Sequence, residues 1–307
     1  MLNRLRNVGF IGAATLVLLA AISTQASAEV LNDFTIKPSA FGGPVAPIAG
    51  DDTVVNCPGG PALGCIVADK IIGNYVEVFT VVTPQVGITP GTFSVDVAFQ
   101  ASQFIGNDGT NPITAGQTGL TNDYQIYALF SVGGSFLCGA TQCLFTADNT
   151  AGQSILQVWE DDANVVQDTT LTPPATSTNP GAINWTRGGI TGNDHLLATS
   201  SVLIGGGNQL VPPCDLQSNA GQPCGSFTIV FRPFNLTGDG SSFFVSPDPF
   251  YITLALGGQF NSFDLVTTQT VNGTADAVFG GQVPEPATLS LLGLGLVGLA
   301  RRRMRKK

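Results

Sequence analysis

Thr92-Phe93-Ser94-Val95-Asp96-Val97-Ala98-Phe99 alternates without a break. Phe93, Val95, Val97 and Phe99 fall on one side of an extended chain, and Ser94, Asp96 and Ala98 on the other. A two-residue period with one apolar side marks a half-buried antiparallel strand. Residues 124–132 repeat the pattern by aligning Tyr124, Ile126, Ala128, Phe130 and Val132. Residues 226–231 do so with Phe227, Ile229 and Phe231. Further strands are expected at residues 71–82, 155–159, 197–204, 250–256 and 260–271. Turn signals separate them: Asn107-Asp108-Gly109, Gly133-Gly134, Gly188-Gly189, Gly205-Gly206-Gly207, Gly238-Asp239-Gly240 and Gly257-Gly258. No long helical period stands between residues 29 and 282. Closely spaced strands rich in Phe, Val, Ile and Thr predict an all-β fold, an antiparallel β-sandwich of jelly-roll type. Residues 169–181, rich in Thr and Pro, form a candidate linker. Strands on both sides are needed for one core, so a single domain over residues 29–282 is expected.

Composition supports a packed chain. Of 307 residues, 43% are hydrophobic and only 11% charged, and Gly contributes 38. Disordered chains are charge-rich and apolar-poor, and helical bundles need more Glu, Lys and Arg, so both are disfavoured. A net charge of −9 argues against nucleic acid as a partner. The charges are also segregated. Arg4 and Arg6 lie at the start, and Arg301, Arg302, Arg303, Arg305, Lys306 and Lys307 at the end. The stretch between holds four bases against 21 acids, a net of −17. Repulsion from such a surface is expected to protect the exposed edges of a sandwich from pairing with neighbours.

The two ends read as addresses. In residues 1–28, Arg4 and Arg6 precede the apolar run 10–22, and Ala26-Ser27-Ala28 supplies a small-residue cleavage site with Ala26 and Ala28 at its key positions. That is the layout of a secretory signal peptide. At the other end, Pro284-Glu285-Pro286 precedes the apolar stretch 287–300 and the basic tail 301–307. Fourteen helical residues cover about 21 Å, short of a ~30 Å hydrocarbon core unless flanking side chains snorkel. The basic tail opposes translocation, so residues 287–300 are expected to hold the membrane only transiently, with the acidic domain facing outward.

This order of Pro-Glu-Pro, apolar helix and Arg cluster over residues 283–307 resembles the PEP-CTERM sorting signal. The resemblance implies processing by an exosortase-type membrane protease and export to the cell surface or extracellular matrix of a Gram-negative bacterium. Three further segments are similar to the flocculation-associated subgroup of such proteins: residues 68–79 (ADKIIGNYVEVF), 123–130 (DYQIYALF) and 249–253 (PFYIT). This second resemblance implies a part in biofilm or floc formation and brings no catalytic motif.

Six cysteines fall in three close pairs: Cys57 and Cys65, Cys138 and Cys143, Cys214 and Cys224. Each pair brackets a loop containing Gly or Pro, and local disulfides in an oxidising compartment are the simplest reading. Six cysteines allow fifteen pairings. A zinc site is disfavoured, because no C-x2-C pair occurs and His195 is the single histidine. His195 follows Asp194 in a polar stretch read as a surface turn. No G-x-S-x-G elbow accompanies it, so a serine triad finds no support.

Glu160-Asp161-Asp162, with Asn164 close by, is a weak Ca2+ candidate, and Asp51-Asp52 is a smaller acidic pair. No other cofactor is indicated. Glu160 with Asp162 as a glycosidase pair, and Trp159 or Trp185 as a sugar platform, are weighed against the simpler readings of an acidic turn and core tryptophans.

The expectation is a non-enzymatic, exported structural or adhesive protein associated with exopolysaccharide and neighbouring cells. A lectin-like carbohydrate- or Ca2+-binding module is the alternative, and a hydrolase has least support.

Overall fold

The computed structural model describes residues 31–41 and 65–280, except 107–108, 115–117, 163–168, 211–213, 216–218, 220 and 264–266. All that follows belongs to the unit Asn32–Lys307. Its strands, in chain order, are β1 (Phe34–Ile36), β2 (Ile66–Ala68), β3 (Lys70–Thr83), β4 (Gly91–Gly106), β5 (Asn111–Ile113), β6 (Gln125–Cys138), β7 (Gln142–Ala147), β8 (Ser154–Asp161), β9 (Thr170–Thr172) and β10 (Thr186–Gly188). They continue as β11 (Asp194–Ser200), β12 (Leu203–Leu210), β13 (Cys214–Asp215), β14 (Gly225–Phe231), β15 (Asn235–Leu236), β16 (Phe244–Ser246), β17 (Thr253–Phe260), β18 (Ser262–Phe263) and β19 (Thr268–Gly280). One short helix, α1 (Gly238–Phe243), precedes β16.

The sandwich expectation is overturned. Strands β4, β3, β19, β17, β14, β12, β7 and β6 each pair antiparallel with the next, and β6 pairs back onto β4. Eight strands therefore close into a barrel, which leaves no open edge among them. The decisive strand is β6. One of its edges follows β4 from Tyr127 to Phe136. The other pairs with β8 up to Val132 and with β7 from Gly134 onward. The sheet forks there, and β8, β11 and β15 continue as a wing outside the barrel.

Glycine explains why the sequence misled. Gly133-Gly134, Gly205-Gly206-Gly207 and Gly257-Gly258 carry turn chemistry in a linear reading, yet all lie inside strands β6, β12 and β17. At such positions a missing side chain lets a strand bend or lets a neighbour approach closely. Here the neighbour is an aromatic ring on the partner strand. Phe93 lies opposite Gly134, Phe136 opposite Gly91, Phe227 opposite Gly258 and Tyr75 opposite Gly273. A Cβ on Gly134 would sit 2.3 Å from the Thr146 carbonyl oxygen and 2.6 Å from the Phe93 ring. Two other expected strands are also redrawn. Residues 197–204 are split between β11 and β12, and residues 260–271 between β17, β18 and β19.

The barrel is filled with side chains. Phe79, Phe93, Val95, Val97, Phe130, Val132 and Phe136 are buried in one continuous core. Phe79 meets Phe93 at 5.4 Å and Phe263 at 4.9 Å between ring centroids, and Phe93 meets Phe145 at 5.6 Å. Outward positions are mixed: Thr270, Asn272, Thr274 and Asp276 on β19, Ser226, Thr228 and Val230 on β14, and Gln142, Leu144 and Thr146 on β7. The lumen is apolar, whereas a transmembrane barrel of the porin kind has a polar interior. No helix among the described residues is long and apolar enough to cross a membrane. The expected sorting helix at 287–300 lies outside the described residues. At the barrel end where β3 begins, β1 inserts between β16 and β2, and Phe34 packs on Phe279 at 4.9 Å.

The candidate linker is not a linker. Thr170–Thr172 pairs with Thr186–Gly188, and the segment between them lies on the outside of β3 and β4. There Ser177 is buried, its N–H donating to Thr80 Oγ1 at 2.9 Å and its hydroxyl sharing a 2.9 Å bond with Ser94. Asn184 Nδ2 donates to both Asp96 carboxylate oxygens at 2.9 and 3.0 Å. Ala98, Tyr127, Leu129 and Trp185 form a second small core beneath the same segment. The face of β4 expected to be wet is thus covered as well.

The glycine–ring contacts are testable. Gly134→Ala should destabilise by about 1–3 kcal/mol through overpacking against Phe93 and the Thr146 carbonyl. Gly192→Ala, whose Cβ would meet nothing within 4 Å, should change stability by less than ~0.5 kcal/mol. Denaturant midpoints of the two variants decide; equal effects would contradict the packing account.

Candidate functional site

The acids singled out in the sequence gather where β8 ends beside the start of β11. Asp161 pairs in register with Asp194, and Glu160 with His195. Strand alternation then separates what the sequence placed together. Asp161 shares a face with Trp159, whereas Glu160 points to the opposite face with Val158 and Leu156. Three consecutive acids therefore do not converge, and no group of three metal-ligating side chains occurs among the described residues. Asn164, the fourth oxygen donor of the Ca2+ candidate, and Asp51-Asp52 lie outside the described residues.

On the Trp159 face the acids are neutralised by donors. Asp194 is fully buried and is held by Arg187 Nη1 at 2.8 Å, the Tyr127 hydroxyl at 2.7 Å and the Thr169 hydroxyl at 2.9 Å. The Thr169 N–H donates to Asp161 Oδ2 at 3.3 Å. The Arg187 guanidinium lies 3.7 Å over the Trp159 ring, a cation–π contact. Arg187 thus covers one face of the half-buried Trp159, and Trp185 is buried and closed to sugar stacking. Burial pushes the Tyr127 hydroxyl above its usual range.

On the other face, Glu160 is fully buried and neither carboxyl oxygen has a hydrogen-bond partner among the described residues. Burial, with the charges of Asp162, Asp161 and Asp194 adding to it, pushes the carboxyl up to about 9. The neighbouring Tyr124 hydroxyl is equally buried and unpartnered, and it too is raised, chiefly by burial. A carboxylic acid shut inside the wall cannot reach a glycoside, so the Glu160–Asp162 hydrolase pair is not assembled. His195 is a strand residue of β11 rather than a turn residue. Its Nδ1 lies 3.1 Å from Asp239 Oδ2, and its ring stacks on Phe41 at 3.8 Å.

Two expected disulfides are closed, Cys138–Cys143 across the β6–β7 hairpin and Cys214–Cys224 around the loop before β14. Cys65 is buried and disulfide-bonded, while Cys57 lies outside the described residues. So do Ala26, Ala28, Pro284, Glu285 and Pro286.

The sequence reading passed over Glu77. In Tyr75-Val76-Glu77-Val78-Phe79 the acid falls in the same phase as Tyr75 and Phe79, which point into the barrel. A carboxyl in the apolar phase of an alternating strand is a readable signal. Glu77 lines an apolar cavity inside the barrel, and burial pushes its carboxyl up to about 8.

In comparison with known proteins, residues 282–306 match the PEP-CTERM protein-sorting motif. No curated protein and no solved structure matches the chain significantly.

The raised carboxyls set a pH dependence. Glu77 and Glu160 keep their protons to about 8 and 9 in the folded protein, against 4.5 unfolded. The folded state then binds more protons across that window. Their contribution to stability is full below pH 4.5 and falls as pH rises through the folded values. Denaturant midpoints should decline from about pH 5 to pH 9. The Glu77→Gln/Glu160→Gln double variant should flatten the decline; an unchanged slope would refute the assignment.

Proposed function

Taking as premise that the chain carries the PEP-CTERM motif and is an exported, exosortase-sorted protein, we propose that it serves as a non-enzymatic structural or adhesive component of the extracellular matrix. In this reading it holds exopolysaccharide and neighbouring cells together in biofilms or flocs. The supporting observation is the outer wall of the barrel. Strands β7, β14 and β19 turn Gln142, Thr146, Ser226, Thr228, Thr270, Asn272 and Thr274 outward, hydroxyls and amides suited to sugar hydroxyls, with Leu144, Val230 and Asp276 in the same rows. Six acids that would repel an anionic polymer are instead buried: Asp69, Glu77, Asp96, Glu160, Asp161 and Asp194. The acids left on the surface, among them Asp33, Asp123, Asp239 and Asp248, give divalent cations a bridging role to anionic polysaccharide.

The non-enzymatic reading is supported by the fate of the candidate catalytic groups. Glu160, the acid of the candidate glycosidase pair, is sealed in the wall.

The role is tested on the protein and on cells. Deleting residues 283–307 should change both the cellular fraction and the intact mass of the product, because the sorting route is lost. Placing charge on the wall by Thr228→Asp with Asn272→Asp should weaken retention of the protein on the cell's own exopolysaccharide by about tenfold through like-charge repulsion. EDTA should weaken cell aggregation. Unchanged retention, together with normal flocculation of a deletion strain, would remove the adhesive role.

A further inference from the structure

The barrel holds a cavity of about 80 Å³ walled by Phe79, Phe93, Val95, Phe145, Phe227 and Ile229, with Glu77 among its lining residues. Glu77 is 6% exposed, and its carboxyl has no hydrogen-bond partner among the described residues. Its neighbours in register are Val271 on β19 and Val97 on β4, neither of which can donate from a side chain. Counted in either direction around the barrel, β12 is four strands from β3. The wall facing Glu77 is therefore β12, and that wall contributes Gly206 and Gly207 to the cavity lining. An acid projects from one side, and the opposite side has no side chain to meet it.

A buried carboxyl without a partner is costly, and a packed core has no use for one. Water is a poor occupant. At ~10–15 Å³ each, several molecules would fit, but each needs two or more polar partners and Phe and Val supply none. The occupant that satisfies these walls has a compact hydrocarbon body of about five non-hydrogen atoms and one strong donor. A cation serves better than a neutral donor, because aromatic faces around the site attract positive charge. Eight-stranded barrels have an interior of the right scale for one small ligand.

We propose that the barrel lumen is a binding site for a small aliphatic amine, its ammonium group on the Glu77 carboxylate and its hydrocarbon body against the surrounding Phe and Val side chains. The proposal is independent of the adhesive role. It would give the exported domain a ligand within the barrel, separate from any polymer bound outside. Glu77 carries its proton in the empty barrel below about pH 8. Seating a protonated amine there releases that proton to solvent, leaving a carboxylate–ammonium pair.

Calorimetric titration of the full chain, disulfides intact, tests the site with two near-isosteric probes, isobutylamine and isobutanol. The amine should bind saturably and about tenfold or more tightly than the alcohol, the difference expected for a charge-assisted hydrogen bond. Its binding heat near neutral pH should vary with buffer ionisation, reporting proton release. Glu77→Gln should abolish the preference for the amine. Val95→Phe, which fills the lumen and leaves Glu77 in place, should abolish binding of both probes. Equal affinity for the two probes, absence of saturable binding, or an amine that binds Val95→Phe as well as the parent protein would each overturn the proposal. The probe comparison needs no variant, so a misfolded substitution does not leave the question open.

Discussion

Everything in this domain depends on one strand that changes partner without ending. At Gly133-Gly134, β6 leaves β8 and takes up β7 while β4 stays bonded along its other edge. Without side chains at that point the strand can bend into a closing barrel, and the Phe93 ring fills the space a side chain at Gly134 would have taken. The same exchange recurs where Phe136 covers Gly91, Phe227 covers Gly258 and Tyr75 covers Gly273. Glycine supplies the curvature and the aromatic ring restores the lost packing. These contacts remove the open edges among the eight barrel strands, where edge protection does not rest on charge repulsion.

Closure also redistributes charge. The sequence describes an acidic middle, yet acids of that middle sit inside the fold. Asp96 is held by Asn184 beneath the outer segment, and Asp194 is paired with Arg187. Glu77 and Glu160 are left without partners among the described residues and respond by holding protons. What faces outward on β14 and β19 is mostly hydroxyl and amide, with Val230, Asp276 and Val278 among them. The outside of the domain thus presents hydroxyls and amides together with scattered surface carboxylates.

The sequence disclosed the strands better than their assembly. The alternation at Phe93, Val95, Val97 and Phe99 located β4 and its inward face, because a two-residue period is a local property. Closure was hidden, because Gly133-Gly134 carries the same local chemistry whether a chain turns or bends, and only a ring from another strand distinguishes the two. The wet face assigned to Ser94 and Asp96 failed for a related reason: Ser177 and Asn184, which cover it, lie more than eighty residues away. The acidic run 160–162 looked convergent in one dimension and was divided by the pleat. Glu77 was legible, since its phase with Tyr75 and Phe79 is written in five consecutive residues. The sorting motif at the C-terminus was read directly, because such a signal acts through order along the chain and needs no fold.

The most direct measurement is the set of nuclear Overhauser contacts made by β6 around Gly134. A closed barrel predicts cross-strand contacts from Gly134 to Phe93 on one side and to Ala147 on the other, together with those from Val132 to Ser154. A chain that turns at Gly133-Gly134, with no contact from Gly134 to Ala147 and β6 ending at Val132, would contradict the account.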